Sequence, residues 1–269
     1  MATLARALKL AQRPSTPLVT TGLAEVDGVL KGVLPGQVWL VVGGPRQGRT
    51  SWAAHLAARA ATVMGAATTA LAGVDGAEMM AVRIIAAACN VSLARAQAVD
   101  PWPLELQPRL DAALAAPIEI ERRWSTTLES ELTAQSSRRL LVVDDLDLWA
   151  SDPVADAARI KEWAAASGGG ALLTAPLGVA SPASSEWQTW VRAVDAIIRV
   201  HAPVGERLGE VDLTAEHHRY GPTVRAVAAG MWSRSRIDPL RGMHSDRDAL
   251  LSLSDLVADA AVLFSEEEH

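Results

Sequence analysis

The stretch Gly43-Gly44-Pro45-Arg46-Gln47-Gly48-Arg49-Thr50-Ser51 follows an apolar run, Val38–Val42, and opens into a helical pattern over residues 50–61. Glycines let backbone amides turn toward bound phosphate, and the start of the following helix adds positive potential. The spacing matches a phosphate-binding loop (P-loop), except that Arg49 stands where a lysine is expected. The stretch therefore predicts a strand, a P-loop over residues 43–51 and a helix. A glycine-rich turn that binds no ligand is the alternative.

Two residues of this loop bear on its chemistry. The hydroxyl of Thr50 has the position from which a P-loop ligates Mg²⁺. Arg49 offers a planar fork of donors on a longer side chain than lysine, so it can hold phosphates while misplacing the γ-phosphoryl group. We therefore expect binding of a nucleoside triphosphate with Mg²⁺ more firmly than its hydrolysis.

Outside the loop, apolar runs alternate with helical patterns, which is typical of a parallel sheet. The last three runs follow one another as strands and extend the sheet at one edge. We expect an α/β fold, mainly parallel, with helices on both faces and an antiparallel C-terminal extension. The predicted strands cover residues 38–42, 67–72, 118–120, 140–143, 171–174, 194–200, 209–214 and 223–228, and the predicted helices residues 50–61, 77–88 and 154–166.

The predicted organisation has three parts. Residues 1–13 form an N-terminal helix or linker with an apolar stripe, residues 14–240 form one nucleotide-binding domain, and residues 241–269 form a charged tail. The segment 17–36 is expected to be irregular, because turn signals punctuate it.

A second site feature is the apolar run Leu140–Val143, which ends in Asp144 and Asp145. Carboxyl ends of parallel strands line ligand crevices, and an acid there holds Mg²⁺ in P-loop proteins. Asp144 is the candidate for this role, with a helix cap or a surface acid as the alternative. Asp145 and Asp147 are expected to be solvated or structural.

Composition excludes several classes of protein. The longest uncharged stretch, residues 163–185, contains three consecutive glycines and two prolines, so it does not predict a membrane span. The single cysteine, Cys89, forms no internal disulfide, which indicates the cytoplasm. The net charge of -6 argues against a globally basic nucleic-acid binder but leaves open a positive central channel.

Several motifs in chain order resemble the motor domain of hexameric DnaB-like replicative helicases, a branch of the RecA-type P-loop ATPases. The resemblance runs from about residue 20 to residue 236, so we expect a motor-only chain without the family's N-terminal primase-interacting domain. The motifs that carry it, besides the P-loop, are Thr21-Gly22-Leu23, Val26-Asp27, Gly32, Leu34-Pro35-Gly36, residues 143–148 (VDDLDL), residues 217–225 (HHRYGPTVR) and residues 230–234 (GMWSR).

The resemblance implies ATP and Mg²⁺ as ligands, and ATP-dependent unwinding of DNA or translocation on single-stranded DNA. It implies a head-to-tail ring, with a hexamer as the family's form. Arg219 matches the arginine that reaches a neighbouring subunit's phosphates, and His217 replaces the family's lysine. Val74 stands where the family has its catalytic glutamate, with Asp75 one residue beyond as the candidate carboxylate.

Other departures from the family pattern concern catalysis and DNA contact. Ala175 replaces a glutamine expected at the end of its strand, and the expected channel loops, residues 149–153 and 176–191, contain no lysine or arginine. Trp187 and Trp190 could stack on bases instead, although packing within the protein is the favoured interpretation.

Two functional hypotheses therefore compete. One is a DnaB-like helicase-type motor whose catalysis is degenerate. The other is an ATP-binding regulatory or interaction module that hydrolyses slowly or not at all. A recombinase-like or clock-protein-like ATPase ranks last, because the Gly-Pro strand pair points elsewhere.

Overall fold

The protein is described by a computed structural model over residues 16–98, 101–121, 132, 139–176, 184–202, 210–231 and 234–239. The predicted N-terminal helix, the charged tail and the pair Trp232-Ser233 lie outside these residues.

The described strands form a single sheet in the order β3-β2-β4-β5-β1-β6-β7-β8-β9. The first six strands in this order run parallel, and β7, β8 and β9 extend the sheet in antiparallel fashion. The predicted sheet is therefore confirmed. The strands are β1 Val38–Val42, β2 Thr68–Leu71, β3 Ile118–Glu121, β4 Leu140–Val143, β5 Gly170–Ala175, β6 Ala196–His201, β7 Glu210–His218, β8 Val224–Met231 and β9 Arg236–Pro239.

The described helices connect these strands and cover the sheet. They are α1 Ala24–Leu30, α2 Arg49–Thr62, α3 Gly76–Cys89, α4 Leu93–Gln97, α5 Gln107–Leu114, α6 Leu146–Trp149, α7 Pro153–Ser167 and α8 Ser185–Ala193. Crossover helices of this kind are what parallel strands require, because a short turn cannot join two strands that run in the same direction.

The central strands are buried on both faces, as their unbroken apolar runs predict. Side chains alternate across β1, so Trp39 and Val41 pack into one apolar cluster with α2, whereas Val38 and Leu40 pack into a second cluster with α7 and α8. Cys89 is buried in a small separate cluster and is therefore a core residue. This two-sided core fixes the sheet, and with it the edge at which β1, β2, β4 and β5 end.

Two local predictions were wrong. The segment 17–36 is not irregular throughout, because it contains α1, whose Val26 and Leu30 are buried in the core. The carboxylate of Asp27 also accepts hydrogen bonds from the backbone amides of Thr21 and Gly22. These bonds hold the segment before α1 against the helix. The turn signals in the sequence therefore mark the ends of a short helix.

The second error concerns the later part of residues 176–191, which we expected to be a channel loop; residues 177–183 of that range lie outside the described residues. Residues 185–193 form α8, and the Ser184 hydroxyl accepts a hydrogen bond from the amide of Trp187 as an N-cap. Both tryptophans of this helix, Trp187 and Trp190, are 4% exposed and belong to the core, so the packing interpretation is confirmed.

Strand β9 was not predicted either. None of the helices in the described ranges is long and apolar enough to cross a membrane.

Candidate nucleotide site

The P-loop joins the end of β1 to the start of α2 at the carboxyl edge of the sheet. Gly48 has a φ of 89°, in the left-handed region that suits glycine, and it is the N-cap of α2. A Cβ on Gly43 would lie 2.6 Å from the carbonyl oxygen of Val200, so only glycine fits between β1 and β6. The loop therefore presents the start of a fourteen-residue helix, whose first amides lack helical partners, toward the space beyond the sheet.

Gln47 anchors this loop to its neighbour. Its side-chain oxygen accepts a hydrogen bond from the backbone amide of Ala202, which follows β6. Gly44, Pro45 and Arg46 are exposed at the tip of the loop. The base of the loop is thus held in place while its tip faces solvent.

Arg49 turns inward from the first residue of α2. One terminal nitrogen, Nη2, lies 3.4 Å from Oδ1 of Asp145, and the side chain is only 12% exposed. The other terminal nitrogen, Nη1, is buried and has no hydrogen-bond partner within the described residues. A buried guanidinium nitrogen without an acceptor is costly, so this geometry suits an anionic ligand oxygen at Nη1.

Asp144 and Thr50, the two candidate Mg²⁺ ligands, are in contact. The carboxylate of Asp144 is buried and accepts a 2.8 Å hydrogen bond from the Thr174 hydroxyl, and the Thr50 hydroxyl lies close enough to lower its pKa. Burial, and next the charge of Asp145, raise the pKa of Asp144 to about 6, and the hydroxyls of Thr174 and Thr50 oppose this shift. Nearby positive charge would favour the ionised form, so an acid with this pKa and a hydroxyl beside it fit a Mg²⁺ site.

Asp145, which we expected to be solvated or structural, is half-buried beside the P-loop. Its backbone has a φ of 50°, its amide donates a 2.8 Å hydrogen bond to the Thr174 hydroxyl, and its carboxylate accepts one from the amide of Val74. A Cβ on Gly73 would lie 2.8 Å from its Oδ2. Burial raises the pKa of Asp145, and the positive charge of Arg49 opposes this shift. Asp145 is therefore the charge partner of the P-loop arginine.

Asp75 lies at the same edge of the sheet but is engaged elsewhere. Its Oδ2 accepts hydrogen bonds from Nη2 and Nε of Arg83, at 2.7 and 3.0 Å. Arg83 also donates through Nη1, at 3.4 Å, to the hydroxyls of Ser51 and Ser235. The Asp75 charge is close enough to contribute to the raised pKa of Asp144. Val74, at the position of the family's glutamate, is 70% exposed and carries no acid.

Ala175 ends β5 opposite Val42, the last residue of β1, and is 4% exposed. The strand therefore brings its last side chain next to the P-loop, but that side chain is a methyl group that cannot sense phosphate.

Arg219 is not part of this cluster within one chain. It follows β7, beside the start of β1 and therefore at the end of the parallel strands away from the P-loop. There its Nε lies 3.1 Å from Oδ1 of the buried Asp195. Its Nη2 donates hydrogen bonds to the carbonyl oxygens of Val191, Arg192 and Val194 at the end of α8. The role of Arg219 as a finger in a neighbouring subunit stays a prediction.

The two histidines before Arg219 show no metal-site arrangement. The ring of His217 is half-buried, and burial followed by the charge of Arg219 lowers its pKa. The Nδ1 of His218 lies 3.2 Å from the carbonyl oxygen of Pro222. Across the part of the chain that the structure describes, no group of three or more histidine, cysteine or acidic side chains could hold a metal ion by itself.

Sequence reasoning missed Thr174, Arg83 and the pairing role of Asp145. Thr174 immediately precedes the expected sensor position, and the signal that marks it is a polar residue near the end of a parallel strand. The contacts of Arg83 join three segments that lie far apart in the chain, and nothing in the sequence marks them.

The sheet order, the P-loop and the acidic end of β4 together define a RecA-like P-loop α/β domain. More particularly, the chain has the fold of DnaB-like helicase ATPase domains. The structure of a DnaB-like replicative helicase, described with its interactions with primase, is 16% identical, with 89% of this chain and 68% of that chain covered and a TM-score of 0.69.

A second solved structure, described as an ATPase domain, is also similar. It is 16% identical, with 88% of this chain and 97% of that chain covered and a TM-score of 0.66. No family model matches the sequence, and no curated protein does. The resemblance inferred from the motifs is therefore supported by the three-dimensional fold.

Proposed function

We propose that this chain is a helicase-type ATPase domain that binds ATP with Mg²⁺ at residues 43–51 and whose hydrolysis is weakened. The arrangement of side chains around the P-loop carries the proposal. Beside a P-loop of the correct shape, Thr50 and Asp144 are in contact, and Nη1 of Arg49 is buried without an acceptor among the described residues.

Each part of the loop has a distinct role in this proposal. The free amides at the start of α2 and the guanidinium of Arg49 bind the phosphates, and Thr50 and Asp144 hold Mg²⁺. Mg²⁺ held there would supply positive charge that offsets the charge of the bound phosphates. The pairing of Nη2 of Arg49 with Asp145 orients the guanidinium and leaves Nη1 available to a phosphate oxygen.

The catalytic side of the site supports slow turnover. Orientation of the attacking water needs a free carboxylate, but Asp75 is held by Arg83 and the preceding residue is Val74. The methyl group of Ala175 supplies no phosphate sensor. Arg49 is itself tied to Asp145, so its freedom to follow the γ-phosphate is restricted.

Further proposals rest on the likeness to the helicase fold. The chain would assemble head to tail into a ring in the cytoplasm and act on single-stranded DNA, with Arg219 contributing to the neighbour's site. DNA contact is the weaker part, because residues 149–153 and 176–191 contain no basic side chain.

The second candidate function is a regulatory or interaction module that binds ATP without productive turnover. The observation that favours it is the pairing of Arg219 with Asp195 and with three carbonyl groups of its own subunit, so that its guanidinium is already engaged within one chain.

Calorimetric titration with ATP and ADP, in the presence of Mg²⁺, tests the binding proposal. Asp144→Ala should weaken Mg²⁺-dependent binding, and Asp147→Ala, which changes an exposed acid in the same segment, is the control. A folded protein that binds neither nucleotide at millimolar concentration would overturn the proposal. Turnover measured with and without single-stranded DNA then separates the two functions, because only a motor is stimulated by DNA.

A further inference from the structure

Thr174 links two acids that neighbour each other in sequence. Its side chain is fully buried near the end of β5. Its hydroxyl donates a 2.8 Å hydrogen bond to Oδ1 of Asp144 and accepts a 2.8 Å hydrogen bond from the amide of Asp145. A hydroxyl has one proton to donate, so the hydrogen bond to Asp144 commits it fully.

The two hydrogen bonds serve different parts of the site. The first fixes the rotation of the Asp144 carboxylate, whose other contact is the Thr50 hydroxyl. The second holds Asp145 in a left-handed backbone conformation, with a φ of 50°, which non-glycine residues adopt at a cost. That conformation brings the Asp145 carboxylate to within 3.4 Å of Arg49.

From these contacts we infer that Thr174 is a positioning residue that couples the metal-binding acid to the phosphate-binding arginine. The inference rests on the proposed nucleotide site and adds a residue to it. Without the Thr174 hydroxyl, Asp144 is free to rotate away from Thr50, and Asp145 loses the hydrogen bond that holds its backbone. Mg²⁺ should then add less to nucleotide affinity than it does in the wild-type protein.

A purely structural threonine would behave differently. Loss of its hydrogen bonds would lower the free energy of unfolding but would not change the ratio between nucleotide affinities with and without Mg²⁺. The distinguishing measurement is therefore this ratio, obtained by titrating ADP and ATP into the full chain with Mg²⁺ and with a chelator.

Thr174→Val keeps the shape of the side chain and removes the hydroxyl, whereas Thr174→Ser keeps the hydroxyl. The control is Thr68→Val. Thr68 is also buried, but it begins β2 and so lies at the end of the parallel strands away from the P-loop. We expect Thr174→Val to reduce the affinity ratio about tenfold or more, the scale for outer-shell partners of metal ligands. Thr174→Ser and Thr68→Val should retain the wild-type ratio.

Equal ratios for Thr174→Val and Thr68→Val would overturn the inference while leaving the proposed nucleotide site intact. Absence of nucleotide binding by the folded wild-type protein would overturn both. If circular dichroism shows that Thr174→Val does not fold, Thr174→Cys takes its place, because a thiol is a weak donor and must show the same loss.

Discussion

The guanidinium of Arg219 and the carboxylate of Asp195 form an ion pair with a 3.1 Å separation between Nε and Oδ1. Asp195 is 1% exposed and also accepts hydrogen bonds from Lys161 and from the amide of Val38. Arg219 therefore joins the β7–β8 turn to the start of β1 and the end of α8. An arginine that serves a neighbouring subunit would first have to leave these contacts.

Arg219→Ala should consequently lower the free energy of unfolding by about 1–3 kcal/mol, because three carbonyl groups and a buried carboxylate lose a donor. Urea denaturation measures this change. Arg225→Ala is the matched control, since Arg225 pairs with Asp212 but its side chain is 65% exposed, and we expect about 0–1 kcal/mol. A variant that keeps wild-type stability, binds nucleotide within about tenfold and loses all turnover would instead support the finger role.

Arg49→Lys should increase the rate of ATP turnover, because a compact ammonium follows the γ-phosphate more readily than a guanidinium paired with Asp145. Arg46→Lys, at the exposed tip of the same loop, is the control and should have no effect. Phosphate release under saturating ATP and Mg²⁺ provides the measurement. An unchanged or lower rate for Arg49→Lys would identify Arg49 as a working adaptation.

Asp75→Asn should reduce turnover much less than Asp144→Asn does, because the Asp75 carboxylate is already paired with Arg83 through two hydrogen bonds. General-base residues contribute about 10²–10⁴-fold, so a loss of that size on Asp75→Asn would establish it as the base. Arg83→Gln complements this test. If Arg83 restrains Asp75, the substitution should raise turnover, and the rise should vanish in the double variant.

The pKa of Asp144 predicts a pH dependence of stability. The folded protein binds this proton more tightly than the unfolded chain, because the pKa rises from 3.8 to about 6 on burial. The contribution of this proton to stability is complete below about pH 4 and is lost as the pH rises through about 6.

Asp144→Asn cannot ionise, so relative to wild type it should gain about 1–3 kcal/mol in free energy of unfolding at about pH 8 and little at about pH 4. Denaturation at both pH values tests this, with the exposed Asp147→Asn as the control. An equal gain at both pH values would mean that the ionisation of Asp144 does not control stability.

Deletion of residues 1–13 should lower the oligomeric state, because Leu4 and Leu8 give the predicted helix an apolar stripe that a monomer has little reason to expose. Light scattering of full-length and truncated protein, with and without nucleotide, provides the test. A monomer in all four conditions would argue against a ring.

Much of the fold follows from local pattern. Buried parallel strands need continuous apolar runs, so Val38–Val42, Leu140–Val143 and the strand that ends in Ala175 are recognisable without coordinates. The P-loop is equally local, because its glycines, its helix start and Thr50 all lie within residues 43–51. The acid at the end of β4 is placed near it by a general property of parallel sheets, whose carboxyl ends share one edge.

The partners of the charged residues depended on the tertiary structure. Arg83 and Ser235 are separated by 152 positions, and Arg49 lies far from Asp145 in the chain, so only the packing of the helices on the sheet brings these pairs together. The sequence placed Asp75 near the site but could not show that Arg83 pairs with its carboxylate. Nor could the sequence show that Arg219 faces Asp195. Side-chain pairing over such distances depends on helix orientation and strand register, which the whole core determines, whereas strand and loop identity is written in short-range periodicity.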